Sequence, residues 1–177
     1  MLLSYNEICE LIEQGVIEGA DYENVNSASL DIRMGSEIKI EILNNDVISL
    51  RDKDQLSMYS WSLLQARYML KPTEFILAHS FEVFHLPDNI SAEYKLKSSM
   101  ARIGLEHLNA GWCDAGWNGS VLTLELKNMT RSHAIGLNYG DKIGQIVFFK
   151  HTPVPEDKSY AVRGRYNGDK TVTGVKK

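Results

Sequence analysis

Between Lys97 and Glu125 the chain reads KSSMARIGLEHLNAGWCDAGWNGSVLTLE, and the residue types in that run are those a nucleotide site needs. Ser98, Ser99 and Arg102 set two hydroxyls and a guanidinium close together, donors that suit phosphate oxygens. Asp114 stands in a Gly-rich turn between Trp112 and Trp117, where a carboxylate suits a sugar hydroxyl and an indole suits the flat face of the ring. Glu125 is the single carboxylate in the apolar run LTLEL, a setting that suits acid–base chemistry.

Each feature also has a plainer reading. Paired serines commonly mark only a polar strand end. Leu122, Leu124 and Leu126 alternate with Thr123, Glu125 and Lys127, so Glu125 lies on the polar face of a strand. That face meets either bulk solvent or a wet cleft. Trp112 and Trp117 could be core aromatics at a turn, and Asp114 in C-D-A-G is an ordinary turn residue. Asp31 and Arg33 read as a structural buried ion pair rather than ligand contacts.

The elements that must position these groups follow from pattern. At 177 residues the chain is expected to form one domain over 1–177, with 155–177 as a C-terminal lid. Ser4 and Glu7 form a capping-box pattern before Ile8, Leu11 and Ile12, predicting a short N-terminal helix that stops at Gly15. Ile38, Ile40 and Ile42 alternate with Glu37, Lys39 and Glu41, predicting a strand with one buried face. Short apolar or alternating runs then recur at Phe75–His79, Phe81–Leu86, Glu93–Leu96, Val121–Leu126, Ala134–Leu137 and Ile143–Phe149, divided by turn residues. Many short strands with little helix argue for a β-sandwich or barrel. The stretch from Asn44 to Leu70 gives no clear pattern.

Composition closes off several function classes. A net charge of −4 argues against coating a nucleic acid polymer, which calls for a basic surface. No run approaches the roughly 18 apolar residues of a membrane span, and Met1–Ile12 has no leader pattern, so a cytoplasmic protein is expected. Cys9 and Cys113 lie far apart, and His79, His85, His107, His133 and His151 lack ligand spacing. No zinc site is expected.

Six segments in order resemble the dCTP deaminase branch of the trimeric dUTPase superfamily. They are SASLDIRMG (Ser27–Gly35), KSSMARIGL (Lys97–Leu105), AGWCDAGWNG (Ala110–Gly119), LELKN (Leu124–Asn128), GDKIGQIVF (Gly140–Phe148) and GRYNGDK (Gly164–Lys170). The resemblance implies a mainly β, distorted jelly-roll-like β-barrel with a short N-terminal helix. It also implies a homotrimer with shared active sites, dCTP or dUTP as small-molecule substrate, and Mg²⁺ carried by the triphosphate rather than by protein side chains. Carried over by position, Lys97, Ser98, Ser99 and Arg102 would bind phosphate. Asp114 and Trp117 would hold the deoxyribose, and the backbone of Asn109, Ala110, Gly111 and Trp112 would read the pyrimidine edge. Thr123 and Gln145 complete the substrate-binding set, and Tyr160, Arg165 and Asp169 would close over the nucleotide. Glu125 would take a proton from the water that attacks C4 and return it to the leaving ammonia. One glutamate can do both if burial raises its pKa.

Four departures bear on the outcome. Lys97 stands where the family has Arg, Arg165 where it has Lys, and Asp169 where it has Gln. A carboxylate at 169 only accepts hydrogen bonds, which favours cytosine's amino group and disfavours a uracil O4. One extra residue lies between Asp114 and Glu125, so a β-bulge near Ser120–Leu122 is required to keep Glu125 on its face. The Asn109–Trp112 turn favours onward hydrolysis to dUMP and pyrophosphate, and Asp169 opposes it. A deaminase that stops at dUTP, a plain dUTPase and a non-catalytic nucleotide-binding regulator are the alternatives.

Overall fold

The computed structural model describes residues 1–53 and 55–176, so the last residue assigned to the lid, Lys177, lies outside the described residues. In chain order the main elements are α1 (Tyr5–Glu13), β1 (Ile17–Glu18), β2 (Leu30–Arg33), β3 (Glu37–Glu41), β4 (Met58–Ser62), β5 (Tyr68–Leu70) and β6 (Phe75–His85). They continue with β7 (Ile90–Leu96), α2 (Ser98–Arg102), β8 (Leu105–Glu106), β9 (Trp112–Cys113), β10 (Asn118–Asn128), β11 (Ile135–Leu137), β12 (Lys142–Lys150) and α3 (Tyr160–Arg163). The N-terminal helix forms as its sequence dictates. The Glu7 carboxylate accepts the Ser4 N–H at 2.9 Å, and Ile8 and Leu11 bury the apolar face.

The strands make three sheets. β4, β3, β6, β10 and β8 run in that order, with β1 also paired to β6; β2, β12, β7 and β9 form a second sheet, and β11 pairs with β5. The expected barrel is therefore not closed: these are separate sheets packed around a shared core that includes Ile32, Ile38, Ile40, Phe84, Leu124, Leu126, Ile146 and Phe148. Alternation accounts for the inward set, since β3 and β12 expose every second residue in part. Among the described residues no helix is long and apolar enough to cross a membrane.

The runs Phe75–His79 and Phe81–Leu86 join into one strand, β6, through a buried irregularity at Ser80. Ser80 Oγ donates to the Glu82 carbonyl at 2.7 Å and accepts the Leu122 N–H at 2.8 Å, so its hydroxyl bridges the interruption to β10. The required bulge is present on the facing strand. Asn118 pairs with His85 but Ser120 with Phe84, which makes Gly119 the extra residue of β10. Its φ of 68° lies in the left-handed region that favours glycine. A second shift between Val121 and Thr123 places extra residues on β6, and from Thr123 to Lys127 the pairing is regular, with Glu125 opposite Leu77.

Asp31 and Arg33 do not pair with each other, contrary to expectation. Residues two apart on a strand share a face and point side by side, so each finds a partner on a neighbouring element. Asp31 accepts from Lys97 at 2.5 Å, with Lys142 at 3.7 Å. Arg33 binds the fully buried Glu82 at 2.8 Å and Asp21 at 2.8 Å, with its guanidinium over the Phe81 ring.

Candidate active site

A cleft of about 800 Å³ opens over the polar face of β10. Ala110, Trp112, Asp114, Trp117, Thr123, Glu125, Tyr160 and Asp169 all line it, so the hairpin, the strand glutamate and the tail converge as the sequence implied. Phe75 and Leu77 of β6 supply an apolar wall next to Glu125, and Lys39, Lys53, Asp114 and Asp169 add charge to the lining.

Glu125 lines this cleft and carries a shifted carboxyl. Half-buried in the polar row of β10, its carboxyl is pushed up to about 7 by burial, against a smaller opposing effect of its own backbone N–H. A carboxyl poised near neutrality both accepts and returns a proton at physiological pH. The solvent-facing alternative is thereby removed: Glu125 faces the cleft.

The hairpin that crosses above it is built on close approaches. Gly116, at φ 85°, allows Ser159 and Asp88 to come so near that a Cβ would sit 2.1 Å from Ser159 Oγ. Gly111 lies against the Tyr94 backbone, where a Cβ would stand 2.4 Å from the carbonyl oxygen. Before it, Leu108 and Asn109 both have positive φ, 55° and 56°, a strained pair held by the Glu106 carboxylate, which accepts the N–H groups of His107 and Leu108. The two tryptophans differ. Trp117 is buried, stacked on Phe84 at 5.5 Å, and donates its Nε1–H to the Tyr166 carbonyl at 2.9 Å. Trp112 is exposed and donates to Asp114 Oδ1 at 2.9 Å, orienting that carboxylate in the cleft.

The tail is docked along the bulge of β10. Val121 N–H donates to the Asp169 carbonyl at 2.8 Å, Asn118 N–H to Asn167 Oδ1 at 2.9 Å, and Val172 is fully buried. Tyr160, whose hydroxyl pKa burial raises, hangs from the hairpin through its N–H to the Ala115 carbonyl. Arg165 and Asn109 are exposed and outside the cleft lining, and the buried Gly111 is outside it too. Asp169 is already engaged: Lys176 and Thr173 donate to its two oxygens. The sequence offered no sign of that partnership.

The phosphate group of residues stands elsewhere. Ser98, Ser99 and Arg102 are exposed on α2, and Arg102 lines a separate concavity with Ile103, Gly104, Thr130 and His133. Lys97 is turned onto Asp31, away from the Glu125 cleft, and Gln145 accepts a hydrogen bond from Ser29 at 3.4 Å. Ser98, Ser99 and Arg102 are thus absent from the lining of the cleft that holds Glu125. Sequence reasoning also missed Ile48, Ser49, Leu50, Lys53, Gln55 and Leu56, which line the cleft but carry no motif. Tyr166, another lining residue, sits inside GRYNGDK, where it could have been found. Among the described residues no cluster of three or more His, Cys, Asp or Glu side chains could hold a metal ion.

A model of the dCTP deaminase-like family matches residues 2–151. A protein of Methanosphaerula palustris named dCTP deaminase, dUMP-forming, is 32% identical over 176 residues, covering 98% of this chain and 94% of its own. One of the same name from Nanoarchaeum equitans is 36% identical over 196 residues, covering 98% and 96%. The crystal structure of 2′-deoxycytidine 5′-triphosphate deaminase from Agrobacterium tumefaciens shares the fold. Its TM-score is 0.67 at 23% identity, over 83% of this chain and 47% of that one. The chain belongs to the dCTP deaminase-like family.

Proposed function

We propose that this protein deaminates dCTP at cytosine C4 and hydrolyses the resulting dUTP to dUMP and pyrophosphate. The observation that carries the reading is Glu125, a half-buried carboxyl held near pH 7 in a cleft lined by Asp114, Trp117 and the docked tail. As a carboxylate it takes a proton from water while the oxygen bonds to C4. As a carboxylic acid it gives a proton to the amino group, and the C4–N bond breaks to release ammonia. The second step consumes another water, which attacks the α-phosphorus and expels pyrophosphate. Onward hydrolysis agrees with the names of the relatives above. Asp169 no longer opposes it, because Lys176 compensates its charge.

The substrate is the Mg²⁺ complex of the triphosphate, with the metal brought by the phosphates. Asp114 and Trp117 select deoxyribose, and residues from 155 onward act as the lid. Three copies assemble with shared sites. The placement of the exposed Ser98, Ser99 and Arg102 outside the lining of the Glu125 cleft supports this, since a second subunit can add their hydroxyls and guanidinium to the Lys39 and Lys53 already there. Incubating the protein with Mg–dCTP, measuring ammonia and separating the nucleotides tests the proposal. Ammonia, dUMP and pyrophosphate should appear in equal amounts. No ammonia would overturn the deaminase, and dUTP without pyrophosphate would overturn the second step.

A further inference from the structure

We infer that Lys176 is a positioning residue of the cleft, a cation that closes the tail into a loop and cancels the charge Asp169 would otherwise present to a bound nucleotide. The inference rests on reading the cleft as a nucleotide site. Three observations carry it. The Lys176 ammonium is held at once by Asp169 Oδ1 and the Arg165 carbonyl, and lies over the Tyr166 ring at 5.3 Å. The second Asp169 oxygen accepts from Thr173 Oγ1 at 3.3 Å, and Lys176 N–H donates to the Tyr166 hydroxyl at 3.2 Å, so the 169–176 segment is fastened at both ends. The loop so formed is a wall of the site, because Thr173, Gly174 and Val175 line the cleft with Glu125, and Gln55 donates to the Val175 carbonyl at 2.7 Å.

Asp169 cannot turn away to solvent. Its own N–H donates to Ser120 Oγ at 3.2 Å and its carbonyl accepts from Val121, which pins it to the bulge of β10. Its side chain is only 13% exposed, so water screens its charge poorly. A polyanionic nucleotide entering beside Glu125 would meet the carboxylates of Asp114 and Asp169 as well as the cations of Lys39 and Lys53; Lys176 takes the Asp169 charge out of that balance.

The test uses the full chain carrying Glu125→Gln, so that binding is read without turnover. Adding Lys176→Met should weaken Mg–dCTP binding at least about tenfold, the factor that about 1.4 kcal/mol represents. Adding Asp169→Asn to that variant should recover most of the loss, because no uncompensated charge remains, and Lys176→Arg should bind like the parent. A loss that Asp169→Asn does not recover would mark Lys176 as a purely structural clasp and overturn the inference, as would unchanged binding. Trypsin supplies a readout that needs no nucleotide: Lys176→Met should speed cleavage after Arg165 and Lys170. Equal cleavage rates would overturn the inference even if the chain bound no dCTP, whereas faster cleavage without nucleotide binding would fault the function alone.

Discussion

Glu125→Gln should abolish activity and make the protein more stable, and the second effect can be sized. The carboxyl ordinarily ionises near 4.5 but is held at about 7 in the cleft. Between those values the unfolded chain has lost its proton while the folded chain keeps it, so folding stability falls as pH rises through the window. Above pH 7 both forms are ionised and the penalty is constant. At about 1.36 kcal/mol per pH unit, the gap between 4.5 and about 7 amounts to about 3 kcal/mol. A neutral amide of the same shape escapes this cost, so at about pH 8 the variant should be more stable by up to about 3 kcal/mol. For a chain of this size that is about 6–12 °C in Tm. Below about pH 4.5 the two proteins should melt together. Scanning calorimetry of both from about pH 4 to pH 8.5 reads the difference directly, with ammonia release measured in parallel and expected to fall at least about a hundredfold. A variant no more stable than its parent at pH 8, or a stability gap that ignores pH, would refute the raised pKa and the role built on it.

Two further outcomes follow. Chains carrying Glu125→Gln and chains carrying Arg102→Ala, each inactive alone, should regain part of the activity after being unfolded and refolded together, since a shared site then unites one intact cleft with one intact phosphate surface; no recovery in the mixed assemblies would place both groups in a single chain's site. Glu82→Ala should destabilise the fold by about 3–5 kcal/mol, because it leaves Arg33 without its buried partner; a denaturation midpoint within about 1 kcal/mol of the parent would show that the pair contributes little.

Much of this molecule can be read from local pattern. The Ser4–Glu7 box, the isoleucine alternation of β3 and the leucine alternation of β10 each state an element and its buried face, because the information lies within one turn or one strand. Glu125 was placed on the polar face by its neighbours alone, but alternation cannot say whether that face is wet surface or cleft. Distant residues such as Ile48, Leu50, Leu56 and those of the docked tail, which line the cleft with it, decide that. β4 escaped notice because its large side chains, Tyr59 and Trp61, are exposed on an edge strand whose register is set by pairing with β3. Ser80 divided β6 into two apparent runs because a buried serine looks like a break unless its partners, Glu82 and Leu122, are known. The partners of Asp31, Arg33 and Asp169 come from distant segments, and charge identity alone does not name them.

The order of strands has a consequence for how the chain is made. The ladder partner of β2 is β12, with Leu30 opposite Ile146, so more than a hundred residues must leave the ribosome before that pair can close. At roughly 5–20 residues per second the wait is about 5–25 s. Throughout it Leu30 and Ile32, wholly buried in the finished protein, belong to a strand with no neighbour on that side. A nascent chain with an apolar strand open for seconds is a client for holding chaperones, and its yield should fall when such chaperones are scarce.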